Sequence, residues 1–304
     1  MSLTVEEAIA RVPLWAAIQR KDIIVTPLSG GITNNNYRLD IGGESFVLRI
    51  TGANTELLGI DRNQEYEANL LAGRLGIAPE VVYFIQPEGY LVTRFITGHP
   101  IPLEEMRQPE NIRRVMEVVR KIHSMPPLSR SFSVFRIIDS YVETARRYSV
   151  PFPENFDRLA GRIQDAESAL MTHPGKPCPC HNDLLNGNFL ADEQLYVLDW
   201  EYAGMGDLFF DLANFSDHHS LSEEQDEWLL NCYFSKVTST CVAHLKIMKV
   251  LSDLREAAWG LVQIGISKID FDFRDYADRF FDRVHQNMPD LEWSQWLKEV
   301  TNNG

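Results

Sequence analysis

The run His181-Asn182-Asp183-Leu184-Leu185-Asn186-Gly187-Asn188 is followed at short distance by the apolar stretch Leu195-Tyr196-Val197-Leu198, which ends in Asp199. An H-x-D-x-x-x-x-N segment ahead of a strand-borne Asp is a layout suited to phosphoryl transfer. Moving a γ-phosphoryl group onto a hydroxyl needs a carboxylate against the attacking oxygen and oxygen ligands for a hard cation. An amide oxygen coordinates without adding negative charge. Asp183 fits the first need, and Asn188 with Asp199 the second. His181 is better suited to bracing the loop through hydrogen bonds than to moving a proton. Singly, each residue also has a plainer use: Asp183 as a cap or turn residue, Asn188 as a left-handed turn former beside Gly187, Asp199 as a strand end. Their occurrence together, in this order, is what points to the chemistry.

The elements that must hold these residues follow from periodicity. Residues 4–20 carry apolar positions at helical spacing, and 23–50 read as an antiparallel meander broken by glycine turns. A helix is expected over 61–75, then strands in VVYFIQ and GYLVTRFI. Beyond TGHPIP the pattern is mainly helical, over 109–124, 139–148, 154–172, 222–236, 240–268 and 273–287, with an irregular island from Cys178 to Phe210 that holds short strands at NFLA and LYVLDW. The expected fold is α+β and bilobal: a small β-rich lobe over 1–96, a larger helical lobe over 97–304, and a ligand cleft between them.

The first lobe supplies matching parts. In Phe46-Val47-Leu48-Arg49-Ile50, strand alternation puts Arg49 and Val47 opposite Phe46, Leu48 and Ile50, so Arg49 is placed to meet nucleotide phosphates. Glu65 shares a helical stripe with Ala68, Ala72 and Leu75, which turns its carboxylate inward toward Arg49. The turn Ser29-Gly30-Gly31-Ile32-Thr33-Asn34 can offer backbone N–H groups to phosphates, although a glycine pair also serves a plain hairpin.

Composition narrows the classes. The 304 residues are 44% hydrophobic and 24% charged, enough apolar content for a sizeable core without staples. No apolar run is long enough for a membrane span, and the N-terminus lacks a basic stretch followed by an apolar one, so no membrane insertion and a cytoplasmic location are expected. A net charge of −14 argues against nucleic-acid binding and suits a cationic substrate, though acidic surfaces also serve solubility. Cys178, Cys180 and His181 form a C-x-C-H cluster, but no second C-x-x-C or H-x-x-x-H pair accompanies it as a zinc site would require. Oligomeric state is not legible.

On these residues the chain resembles the choline/ethanolamine kinase branch of the aminoglycoside phosphotransferase superfamily, which is protein-kinase-like. HNDLLNGN is similar to the family's catalytic loop, and LDWEYA with GDLFFDLANF to its metal-binding and stabilising segment; Glu201-Tyr202 after the metal Asp is typical of this branch. The resemblance implies ATP and Mg2+ as cofactors and a small cationic alcohol as substrate. It implies that Asp183 is the base and Asn188 and Asp199 the metal ligands. It further implies that Gly30, Gly31, Asn34, Arg49 and Glu65 serve the phosphates, and that Thr93, Arg94 and Ile96 form the hinge that binds adenine through its backbone. Asp211 would hold the catalytic loop. Glu201, Tyr202, Trp259 and Tyr276 would form the alcohol pocket, where aromatic faces receive an ammonium group. Where choline kinases carry W-G-L-W, this chain has Trp259-Gly260-Leu261-Val262, so part of that aromatic box is missing. Choline or ethanolamine phosphorylation is the leading expectation. A kinase for thiamine, an aminoglycoside or another amino alcohol shares the same residues, and a catalytically silent kinase-fold binding protein is the alternative from another class.

Overall fold

The structure is a computed structural model, and the residues described are 3–28, 34–52 and 55–302. Gly30 and Gly31 lie outside them. Short helix α1 (Val5–Ala10) opens the chain with a Thr4/Glu7 capping box. The helical spacing over 4–20 does not give one helix: Pro13 begins a separate 3-10 turn, Pro13–Trp15, which seats Trp15 edge-on against Phe46 at 5.3 Å. Strands β1 (Ile23–Leu28), β2 (Asn34–Ile41), β3 (Glu44–Thr51), β4 (Val81–Ile85) and β5 (Tyr90–Arg94) form one antiparallel sheet in the order β1-β2-β3-β5-β4.

The alternation in β3 holds. Phe46, Leu48 and Ile50 pack with Trp15, Leu39 and Val92 in a core under the sheet, and each such side chain contributes roughly 1.5–3 kcal/mol by burial. Val47 and Arg49 consequently face the other way. Helix α2 (Arg62–Arg74), capped by Asp61, crosses behind that second face. Its inward stripe is Glu65, Ala68, Asn69 and Ala72, whereas Leu75, expected on it, is 47% exposed because the helix has ended one residue earlier.

The remainder is mostly helical: α3 (Leu103–Met106), α4 (Pro109–His123), α5 (Val134–Arg147), α6 (Phe156–Leu170), α7 (Leu208–His218), α8 (Glu223–Tyr233), α9 (Ser239–Ile266), α10 (Phe273–Gln286) and α11 (Asp290–Asn302). Between α6 and α7 lie four three-residue strands, β6 (Cys178–Cys180), β7 (Phe189–Ala191), β8 (Leu195–Val197) and β9 (Gly204–Gly206), paired β6 with β9 and β7 with β8. Helix α9 is the spine, packed against α5, α7, α10 and α11 and buried nearly all round over residues 245–263. Three helices have no counterpart in the sequence reading, the four-residue α3 among them. Helix α7 has eight consecutive buried residues, Phe210 to Asp217, so no polar face marks it. Helix α11 does carry a signal, Trp293, Leu297 and Val300 at helical spacing. Helix α5 starts at Val134, five residues before the expected 139.

Gly260 has a packing reason. A Cβ there would stand 3.0 Å from the Ala277 Cβ and 3.1 Å from the Tyr276 ring, so its absence lets α10 close onto α9 and sets Tyr276 beside Trp259 and Glu256.

Away from the cleft, α9 and α7 bury two carboxylates together. Asp253 and Asp217 share Arg283, and Asn287 donates to Asp253 at 3.1 Å. Burial, then the Asp217 charge, pushes the Asp253 carboxyl up to about 9. A pKa raised on folding contributes stability that is complete below the unfolded carboxyl value and is lost as pH rises toward 9. We therefore expect Asp253→Asn, which keeps the neutral form at every pH, to raise Tm at pH 8 by about 2–4 °C and to flatten the fall of Tm between pH 5 and 8. Thermal scans across that range check it; an unchanged slope would place the proton elsewhere.

Candidate active site

Helix α7 builds the loop between β6 and β7. Asp207 caps it, accepting from Phe209 N at 2.9 Å, and Asp211 and Asn214, one turn apart, then face the loop. Asp211 accepts from the backbone N–H groups of His181 (2.9 Å) and Asn182 (2.6 Å), and Asn214 accepts from Leu184 N (2.6 Å). Burial would raise the Asp211 carboxyl, but the His123 imidazole at 3.1 Å and these N–H groups outweigh it and hold the pKa below the usual range. Anchored so, the loop carries Asn182 at φ 66°, a left-handed conformation that Asn tolerates better than most residues.

His181 is fully buried. Its Nε2 donates to Leu198 O at 2.9 Å and its Nδ1 accepts from Asp183 N at 3.2 Å, so both ring nitrogens are spent tying the loop to the strand before Asp199. Burial lowers its pKa and keeps the ring neutral. Asp183, 7% exposed, receives Arg255 Nη2 on Oδ1 at 2.6 Å; its Oδ2 faces Asn188 Nδ2 at 3.3 Å. Burial pushes the Asp183 carboxyl up, with Arg255 opposing. Asn188 also donates to Asp183 O at 2.8 Å, which leaves its amide Oδ1 outside both bonds. Asp199 sits at φ 61°, with Oδ1 3.2 Å from Arg49 Nη1 and its side chain 32% exposed.

Across the cleft from the loop, Arg49 is ion-paired to Glu65. Arg62 bridges Glu65 (2.7 Å) and Glu201 (3.1 Å), and Asn34 Nδ2 donates to Glu201 at 3.2 Å. Three carboxylates thus meet two guanidinium groups, and the Nε atoms of Arg49 and Arg62 find no partner among the described residues. Burial, followed by the Asp199 charge, pushes Glu201 up to about 7.

The cleft has a volume of about 570 Å³. Thr93, Arg94 and Ile96 line one end. There the Arg94 N–H donates to Glu80 O and the Phe95 N–H to Ser45 O, while the Arg94 guanidinium turns outward to Glu44 at 2.5 Å. Tyr202, Trp259 and Tyr276 line the other end with two residues absent from the sequence reading, Arg255 and Glu256. Arg255 donates to Asp183, to Asn182 O and to Glu256, and its guanidinium carbon lies 5.2 Å from the centre of the Tyr202 ring. Glu256 accepts from Tyr276 Oη at 2.6 Å and is held ionised, well below the usual range, because Arg255 and His218 outweigh its burial. A signal for both existed: they precede Trp259 by four and three residues on one helix, hence on its face. Arg62 and His123 carry no comparable signal.

The C-x-C-H cluster resolves differently from its sequence. The Sγ atoms of Cys178 and Cys180 are 3.9 Å apart, but the imidazole beside them is His123, since His181 points to Leu198.

Comparison with known proteins agrees with this frame. The structure of a choline/ethanolamine kinase family protein from Mesorhizobium loti is 31% identical in sequence, covers 98% of this chain and 99% of that one, and superposes with a TM-score of 0.83. Choline kinase LicA from Streptococcus pneumoniae, at 23% identity, covers 94% of this chain and 99% of that one with a TM-score of 0.79. Among curated sequences, Protein LicA of Haemophilus influenzae is 28% identical over 278 residues, 86% of this chain and 79% of the relative. The two-lobed α+β fold is of the protein-kinase-like type shared with aminoglycoside phosphotransferases, and the protein is a small-molecule kinase. A family model for choline/ethanolamine kinase matches residues 25–241, and the chain belongs to that family. No described helix is long and apolar enough to cross a membrane.

Proposed function

We propose that the protein transfers the γ-phosphoryl group of ATP to the hydroxyl of choline or ethanolamine in a magnesium-dependent reaction. The observation that carries this reading is the convergence of Asp183, Asn188, Asp199 and Arg49 on one cleft that also holds an acidic, aromatic end. Arg49, anchored by Glu65 and with Nε unpartnered among the described residues, binds the nucleotide phosphates. The hinge at 93–96 receives the adenine.

Asp183 accepts a hydrogen bond from the acceptor hydroxyl on Oδ2 and takes its proton as the oxygen bonds to phosphorus, while Arg255 holds Oδ1 and so fixes the carboxylate plane. Asn188 Oδ1 and the Asp199 carboxylate are the hard oxygen donors that a magnesium ion takes, and they would hold it. Bound there, the ion would supply charge neutralisation for the phosphates. His181 and Asp211 keep the loop in register and touch no reactant.

The test is ADP formation by the purified protein, with and without magnesium, across choline, ethanolamine, thiamine and an aminoglycoside. Turnover of the two amino alcohols, lost with EDTA, is expected. Nucleotide binding without turnover of any alcohol would favour a silent binding protein.

A further inference from the structure

The acceptor end of the cleft is lined by a guanidinium of the chain's own, that of Arg255. A quaternary ammonium group donates no hydrogen bond and has to be received by open aromatic faces. Tyr202 is 5% exposed, with Arg255 over its ring at 5.2 Å, and its hydroxyl is 3.4 Å from that of Tyr141. Val262 is fully buried against Tyr202 and Tyr141 in a small apolar cluster and adds no wall. Among the described residues at this end, Trp259 and Tyr276 remain, edge to face at 5.5 Å.

What the pocket offers instead is a carboxylate. Glu256 lines the cleft; its Oε1 is taken by Arg255 at 2.7 Å, with His218 Nε2 3.7 Å away, and among the described residues its Oε2 accepts a single bond, from Tyr276. A carboxylate oxygen with one bond has room for another donor. Asp183 and Glu256 against Arg255 leave one net negative charge, which matches one substrate ammonium.

Building on the reading of this cleft as the acceptor site of an amino-alcohol kinase, we propose that the acceptor is a primary amino alcohol whose ammonium donates to Glu256. Arg255 sets that preference by covering the Tyr202 face that a quaternary ammonium would use. The same guanidinium joins Glu256 to Asp183, so amine recognition and the placing of the base are linked through one side chain.

The experiment is steady-state kinetics with ethanolamine, its N-methyl and N,N-dimethyl derivatives, and choline. The value of kcat/KM should fall by about 100-fold from ethanolamine to choline, with the largest step at the last methyl, because choline alone keeps no N–H to donate to Glu256. Arg255→Ala, which opens the Tyr202 face, should lower turnover of both substrates yet raise the choline-to-ethanolamine ratio at least tenfold. Arg255→Lys should keep the ratio near wild type. Glu256→Gln should raise KM for ethanolamine more than it lowers kcat and compress the series. Choline used as well as ethanolamine by the wild-type protein would overturn the inference and leave the kinase reading standing. Turnover of no member of the series would remove both.

Discussion

Asp183→Asn is expected to bind ATP and the alcohol almost as the wild type does while its chemical step falls by roughly 100-fold or more, about 2.7 kcal/mol of transition-state stabilisation. The amide has the same shape and retains an oxygen for Arg255 at the Oδ1 position; its Nδ2 loses the long bond from Asn188, but Asn188 still donates to the residue 183 carbonyl and the loop keeps its anchors in Asp211 and Asn214. What it lacks is basicity at Oδ2, the oxygen not held by the guanidinium. Binding and turnover should therefore separate, with calorimetric ATP affinity preserved and single-turnover ADP formation lost. A turn-forming Asp predicts the reverse, because Asn caps and turns as well as Asp does. Near-normal turnover in a folded Asp183→Asn protein would remove the proposed base.

The second large effect belongs to Asp199. Its φ of 61° makes the choice of variant matter: Ala would add backbone strain on the order of 1 kcal/mol, whereas Asn is at home in the left-handed region. Asp199→Asn should therefore fold normally and lose turnover by about 100-fold or more at low magnesium, in the range of losing one charge-stabilising group. Nucleotide affinity without magnesium should hold or improve, since a carboxylate facing the phosphates has gone and Arg49 is freed from one of its two anions. Asn188→Ala, which removes a neutral ligand together with its bonds to Asp183, should recover part of its activity as magnesium is raised. Wild-type turnover by Asp199→Asn at low magnesium would separate Asp199 from the metal.

Much of this site is legible in one dimension because its parts sit on short, locally determined segments. The loop 181–188 and Asp199 carry their spacing in the sequence, and the alternation of β3 turns Arg49 toward the cleft, since the side chains of a half-buried strand have only two faces. The inward stripe of α2 was readable for the same reason, apart from Leu75 at its frayed end. The residues left unread are those whose role depends on an encounter between distant segments. Arg62 finds Glu201 across 139 positions, and His123 finds Asp211 across 88.

The sequence alone determined the chemistry on offer: a carboxylate base, an amide and a carboxylate for a hard cation, an arginine on a strand, and an α+β frame to hold them. Tertiary structure decided which neighbours those groups have. It put Arg255 between Asp183 and Tyr202, and it gave His181, read from the sequence as a brace, its partner at Leu198. The reason is physical. Periodicity reports which face of an element is buried, but the partner met there depends on how helices such as α7, α9 and α10 pack, and at Gly260 that packing turns on a Cβ that is not there.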